Sequence, residues 1–196
     1  MNNIILTDVD GVLLNWEFAF DVWMQEHGHY KQRGNETKYN IGKRYGIDGS
    51  VGNKLIKTFN ESAAIGFLPP LRDAIYYVKK LHEEHGYVLR CITSLSLDKN
   101  AQRLRRMNLQ KLFGETVFDD IICLDTGADK DTALEPYRGS GWWWIEDKIV
   151  NALVGEKLGL KSIIVEHGHN MDYSGPIPLV KNWADIYKLI TDCKDL

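Results

Sequence analysis

Five short apolar runs recur along the chain: Asn3–Asp8 (NIILTD), Val88–Thr93 (VLRCIT), Asp120–Leu124 (DIICL), Trp142–Glu146 (WWWIE) and Ser162–Glu166 (SIIVE). Near-continuous runs of this length, rather than strict alternation, suit strands covered on both faces. Helical spacing fills the intervals. Leu71, Ala74, Ile75, Val78 and Leu81 form one stripe, with Pro69-Pro70 as a start signal and Gly86 as a stop. Further helices are expected over Leu97–Met107, over Ile149–Leu158 ahead of Gly159, and over Trp183–Ile190. Strand and helix alternate, which predicts an α/β fold: a Rossmann-like, three-layer parallel sheet with helices on both faces. In such sheets ligands sit beyond the carboxyl ends of the strands, so the last residues of each run are where chemistry is sought.

One stretch breaks the rhythm. About 60 residues without a buried strand separate the first run from the helix at Leu71, too many for a plain loop. Asn15–His27 reads as an aromatic-rich helix and Gly52–Ala64 as a second, with turns expected around Gly42, Gly46, Gly49 and Gly52. Residues 15–68 are therefore expected to form a small helical cap inserted into a core of residues 1–14 and 69–196. In the Trp142–Trp144 run, alternation places Trp143 on one sheet face and its two neighbours on the other. An exposed tryptophan there would suit a homodimer contact.

The strand ends carry acids, hydroxyls and a lysine. The first run closes in Asp8-Val9-Asp10-Gly11, two carboxylates that repel unless a cation lies beside them; a plain turn is the competing reading. The second closes in Thr93-Ser94, able to hold a phosphate or to cap the next helix. Lys130 follows the third run, as a partner for an acid or as a solvated side chain. The fourth closes in Glu146-Asp147, with Asn151 four residues on. Buried unpaired acids are costly and a metal would relieve them, although acids also favour a helix N-terminus.

Taken together, Asp-x-Asp after strand one, Thr after strand two, Lys after strand three and an acid pair after strand four resemble the haloacid dehalogenase superfamily of phosphatases over residues 1–14 and 69–170. The resemblance implies that Asp8 is the nucleophile and Asp10 the general acid and base. It implies that Thr93, with Ser94 and Lys130, binds the phosphoryl group, Lys130 also orienting Asp8. Magnesium would be held by Asp8, the backbone carbonyl of Asp10, and Asp147, with Glu146 assisting. Two departures touch the outer metal shell: Glu146 stands where Gly or Asp is frequent, and Asn151 where a second acid often stands. The chain also resembles the 5′(3′)-deoxyribonucleotidase-like group in length, cap position and the Thr93-Ser94 strand end, which implies a nucleoside monophosphate substrate. A sugar phosphate or similar metabolite is the alternative within the superfamily. A non-catalytic module that binds phosphate or magnesium is the alternative outside it.

Composition narrows the remainder. With 196 residues the chain is one domain, or one domain with a small insertion. A net charge of -3 gives no global field for nucleic acid, and no stable nucleic-acid complex is expected. Residues 31–57 nevertheless hold seven cations (Lys31, Arg33, Lys38, Lys43, Arg44, Lys54, Lys57) against Glu36 and Asp48, a surplus of five that would steer an anion or simply face solvent. Of the cap aromatics, Trp16, Phe18, Phe20 and Trp23, either Phe18 or Phe20 is a candidate to stack on a base. The histidine pairs (His82/His85, His27/His29, His167/His169) have no further ligands at metal spacing and read as packed or surface groups. Cys91, Cys123 and Cys193 are an odd set without metal-ligand spacing, and the N-terminus has neither a basic leader nor an anchor. Both point to a reducing, cytoplasmic setting with no membrane association.

Overall fold

The computed structural model describes residues 3–192. Its strands are β1 (Asn3–Thr7), β2 (Tyr87–Ser94), β3 (Phe118–Leu124), β4 (Trp143–Glu146), β5 (Lys161–Val165) and β6 (Leu179–Val180). They form one parallel sheet in the order β3-β2-β1-β4-β5-β6. The α/β parallel-sheet expectation holds, with β6 added at the edge.

Both faces of the sheet are covered. Ile5, Leu89, Cys91, Ile145 and Ile163 pack on one side against α4 (Ala74–His85), α5 (Lys99–Phe113) and α8 (Trp183–Asp192). On the other, Leu6, Ile92 and Trp144 meet Leu134 of α6 (Asp131–Leu134), Tyr137 just beyond it, and Leu158 and Leu160 just beyond α7 (Ile149–Lys157). The tryptophan run divides as the pleat requires: Trp143 joins the first cluster, Trp142 and Trp144 the second. Trp144 is fully buried and donates its indole N–H to the Asn151 carbonyl at 3.1 Å. α4 ends on Gly86 in the left-handed region, as its sequence signal predicts. α5 starts at its Asp98 cap and continues to Phe113, past the expected end at Met107, because Leu109 and Phe113 extend its buried stripe.

From β1 the chain returns to β2 on one side, while β4 lies on the other, so strand order reverses between β1 and β4. A crevice opens at the carboxyl ends of such a pair. Residues 15–68 arch towards it as α1 (Trp16–Glu26), α2 (Ile41–Tyr45), α3 (Gly49–Asn60) and a 3-10 turn over Ala63–Gly66. The turns expected at Gly42, Gly49 and Gly52 are instead helical, and of the four only Gly46, the left-handed cap of α2, lies outside a helix. α2 and α3 cross so closely there that a Cβ on Gly52 would lie 3.3 Å from the Gly42 nitrogen. α1 and α3 share an aromatic cluster: Trp16 stacks on Phe20 with centroids 4.5 Å apart, and Phe20 meets Phe59 edge-on at 5.3 Å. Asn60 ties the cluster to the sheet. It accepts from the Trp16 indole and donates to the Leu95 carbonyl, each at 2.9 Å. Cys193 lies outside the described residues; Cys91 is buried and Cys123 half-buried, both as free thiols.

Candidate active site at the carboxyl ends of the strands

β1 delivers Asp8 to the centre of the crevice. The Asp8 backbone N–H donates to the Ile145 carbonyl at 2.8 Å, which continues the β1–β4 ladder by one residue. Its carboxylate accepts from the Val9 N–H at 2.7 Å and lies 2.9 Å from the Lys130 ammonium. Lys130, almost fully buried at the start of α6, also reaches Glu146 at 2.9 Å.

Glu146 is an acceptor with every position engaged. One oxygen takes Lys130 and the Asn151 side-chain amide; the other takes the backbone N–H groups of Asp147 (2.7 Å) and Lys148 (3.2 Å). A carboxylate offers about four lone-pair sites, so Glu146 has no free one. Asn151, which stands where an acid is frequent in the resembled pattern, thus serves as a donor to Glu146.

Asp147 turns back over Gly11. A Cβ on Gly11 would fall 2.6 Å from an Asp147 carboxylate oxygen, and Gly11 has a φ of +77°, so glycine is required on both counts. Carboxylate oxygens of Asp8, Glu146 and Asp147 all lie within 4.8 Å of one another, a group able to hold a metal ion. The electrostatics show the strain of that crowding. Burial, then the Glu146 and Asp10 charges, push Asp8 up to about 8 against the pull of Lys130. Burial, then Glu146 and Asp8, push Asp147 well above the carboxylate range. Glu146 moves the other way: burial opposes its charge, but Lys130 and the donors around it prevail. Burial also works against the Lys130 charge, yet Asp8 and Glu146 raise it. An oxygen-only donor set that repels itself suits a hard divalent cation such as magnesium. With Glu146 saturated, Asp8 and Asp147 are the side chains with oxygen to offer.

Thr93, at the end of β2, is fully buried, and its hydroxyl has no partner among the described residues. Such an orphan is rare and marks a place where another group fits. Thr93 does not cap the following helix, whose cap is Asp98. The Ser94 hydroxyl is taken by the Ala128 carbonyl at 2.7 Å.

The crevice encloses about 750 Å³, with Asp8, Asp10, Thr93, Ser94, Lys130 and Asp147 along its floor. α1–α3 and their loops supply the opposite wall: Trp16, Tyr39, Arg44, Lys54 and Lys57. The aromatic expectation needs correction here. Phe20 is buried in the α1–α3 cluster and Phe18 faces solvent at 57 % exposure, and neither lines the crevice. Trp16, Phe20 and Trp23 follow helical spacing, so the stripe turns inward, while Phe18 falls outside it. The expected cationic surplus is partly spent at home. Arg44 pairs with Glu17 at 2.7 Å, and Lys31 lies 3.3 Å from Asp21. Lys54 and Lys57 are exposed on the crevice side of α3, with Lys57 3.9 Å from Glu61.

No protein-family model matches the chain. An uncharacterized 32.4 kDa protein in the Gp30-rIII intergenic region of Enterobacteria phage T4 is 31% identical over 128 residues, covering 63% of this chain and 45% of that protein. The chain thus matches less than half the length of that relative. Among solved structures, a predicted phosphatase from Clostridium acetobutylicum superposes with a TM-score of 0.68 at 15% identity, covering 98% of this chain and 99% of that one. The haloacid dehalogenase-like hydrolase SP0104 from Streptococcus pneumoniae gives 0.65 at 15% identity, over 96% and 98%. The chain has a haloacid dehalogenase-like fold. D,D-heptose 1,7-bisphosphate phosphatase from B. bronchiseptica, complexed with magnesium and phosphate, shares this fold with a TM-score of 0.58 at 10% identity, over 97% and 98%.

Within this haloacid dehalogenase-like fold, Asp8, Lys130, Glu146 and Asp147, each marked by a strand end, meet in one place, beside neighbours that residue type and spacing did not mark. His167 meets the Gly11 carbonyl at 2.6 Å, and its ring lies parallel to that of His169 at 5.7 Å. His169 approaches the Asp147 carboxylate at 3.7 Å and the Tyr39 ring at 5.2 Å. Burial lowers both imidazoles below the usual range. The strand-end rule pointed there, because both residues directly follow β5. Asp10 is gripped by Arg105 of α5, at 2.6 and 3.1 Å. No local signal separated Arg105 from the other cations of its helix.

Proposed function

We propose that the chain is a magnesium-dependent phosphomonoester hydrolase working through an aspartyl-phosphate on Asp8. The observation that carries this reading is the pair of crowded carboxylates, Asp8 and Asp147, at the β1/β4 switch point, with the Lys130 ammonium 2.9 Å from Asp8. Asp8 and Asp147, with the Asp10 carbonyl, would hold magnesium, which supplies charge neutralisation where a carboxylate meets a phosphate. The magnesium and phosphate bound to the heptose bisphosphate phosphatase of the same fold support the metal assignment.

The rest is done by side chains. The Thr93 hydroxyl donates to a phosphoryl oxygen, which satisfies its orphaned group. Lys130 fixes the Asp8 carboxylate and offsets the charge that gathers on the phosphoryl oxygens. An Asp8 oxygen bonds to phosphorus as the ester P–O bond breaks, and Asp10 gives its proton to the departing oxygen. Asp10 then takes a proton from water as that water attacks phosphorus and frees Asp8.

The substrate is a small phosphorylated metabolite, since residues 15–68 act as a cap that roofs the crevice. Within that class we favour a nucleoside monophosphate, with Trp16 or Tyr39 as the aromatic wall in place of Phe18 or Phe20. A sugar phosphate fits the same volume and would dispense with that wall. Phosphate release from nucleoside 5′- and 3′-monophosphates, sugar phosphates and p-nitrophenyl phosphate, with and without magnesium and beside D8N, tests the reading. Magnesium-dependent turnover absent in D8N is expected. A folded chain that binds magnesium yet releases no phosphate from any of them would instead be a binding module.

A further inference from the structure

The Arg105 side chain is fully buried, while Asp10, its ion-pair partner, is 22% exposed at the crevice floor. The guanidinium spans both carboxylate oxygens, at 2.6 and 3.1 Å, and its Nε has no partner among the described residues. Burying a guanidinium costs several kcal/mol unless it is paired well. A cation on the buried stripe of α5, between Ala101 and Leu109, is therefore not explained by packing. Its two donors converge on the one carboxylate that the proposed reaction needs as a proton carrier.

We infer that Arg105 is a positioning residue that acts through Asp10. Resting on the phosphohydrolase reading above, this inference adds how the proton carrier is held. In the fork-on-fork arrangement both Asp10 oxygens are occupied by guanidinium donors. Proton delivery then runs in two steps: one contact opens and the freed Asp10 oxygen, exposed to the crevice, takes a proton from solvent; that oxygen then gives the proton to the leaving oxygen while the other contact keeps the carboxyl aimed. Of the two contacts, the one to the second oxygen, at 3.1 Å, is the longer and so the weaker. A fork can release one tine and still hold; a lysine, with a point charge and no plane, cannot fix the same orientation. Arg105 therefore matters where the leaving group needs a proton and little where it does not.

The test is a double-mutant cycle with R105K, D10N and R105K/D10N. Steady-state and single-turnover rates are read on an alkyl phosphate, whose leaving oxygen needs a proton, and on p-nitrophenyl phosphate, whose first step does not. R105M and R105M/D10N run in parallel, so that a variant failing to fold by circular dichroism leaves the other pair to close the cycle. The expected result for R105K is a fall of about tenfold or more in single-turnover rate on the alkyl ester, of the size general acid catalysis supplies. On the aryl ester its single-turnover rate should stay within about threefold and its KM within about twofold, and in the D10N background nothing further should be lost. Equal losses in both backgrounds, or on both esters, would make Arg105 a structural residue and overturn the inference alone. A folded wild-type chain without turnover would overturn the phosphohydrolase reading, and this inference with it.

Discussion

Glu146 can serve as a metal ligand or as the anchor of Lys130, and E146Q separates the two. All four partners of its carboxylate are donors: Lys130 at 2.9 Å, the Asn151 amide, and the N–H groups of Asp147 and Lys148 at 2.7 and 3.2 Å. A glutamine amide turned either way keeps one oxygen and aims an NH2 group at two donors. Two hydrogen bonds are lost. Both were bonds to an ionised acceptor, at about 1.5–3 kcal/mol each, so the gross loss is at least about 3 kcal/mol. Some of this returns, because Asp8 no longer faces the Glu146 charge that helped to raise it. The net expectation is about 3 kcal/mol, a large share of a typical 5–15 kcal/mol. For a chain of this size that is a drop in Tm of about 6–12 °C. Urea unfolding in metal-free buffer reads the loss, and magnesium titration calorimetry reads the affinity. The anchor role predicts a large stability loss with magnesium affinity changed by less than about tenfold. Unchanged stability with magnesium binding abolished would refute the reasoning and make Glu146 a direct ligand.

The other predictions address neighbouring parts of the site. Because Asp8 is raised to about 8 from an ordinary 3.8, its contribution to stability is present below about pH 4 and lost as pH rises towards 8. Without metal, D8N should therefore gain stability relative to wild type between pH 4 and pH 8, and magnesium should close the gap; a gap independent of pH in urea melts would contradict the burial argument. G11A combines a left-handed φ of +77° with a Cβ 2.6 Å from the Asp147 carboxylate, so a loss of about 1–3 kcal/mol is expected with weakened magnesium binding. Normal magnesium affinity in G11A would show that Asp147 is not held where the metal needs it. K130M removes the cation between Asp8 and Glu146 and should cost about 10²-fold or more in kcat. A KM effect alone, with kcat intact, would place Lys130 outside the reacting centre.

Much of this site was readable because it lies at strand ends, where apolar runs stop abruptly. NIILTD, WWWIE and the Thr after VLRCI each mark a place where the chain leaves the sheet, and the topology then brings those places together. Such signals survive without knowledge of side-chain direction. His167 and His169 lie just past SIIVE at the same edge of the sheet, and their lack of metal-ligand spacing does not bear on a place in the crevice wall. α1 shows the opposite case. Its aromatics are conspicuous by type, but their spacing assigns Phe20 to the packed stripe and Phe18 to solvent, so chemistry inferred from residue type failed where periodicity was decisive.

Arg105 marks the limit of what a sequence can show. It sits in KNAQRLRRMNLQK, among four other cations, and helical periodicity accepts an arginine on the buried stripe only if something opposite carries negative charge. That something is Asp10, 95 positions away in sequence. The pairing is a property of the sheet order: β1 and β2 are neighbours, so the helix following β2 lies over the end of β1. In a parallel order the helix after the second strand is the element that can reach the second acid of Asp-x-Asp. The strand-end rule finds groups that point along the sheet. Groups that reach the site sideways from a covering helix, as Arg105 does, follow from topology combined with the cost of an unpaired buried charge.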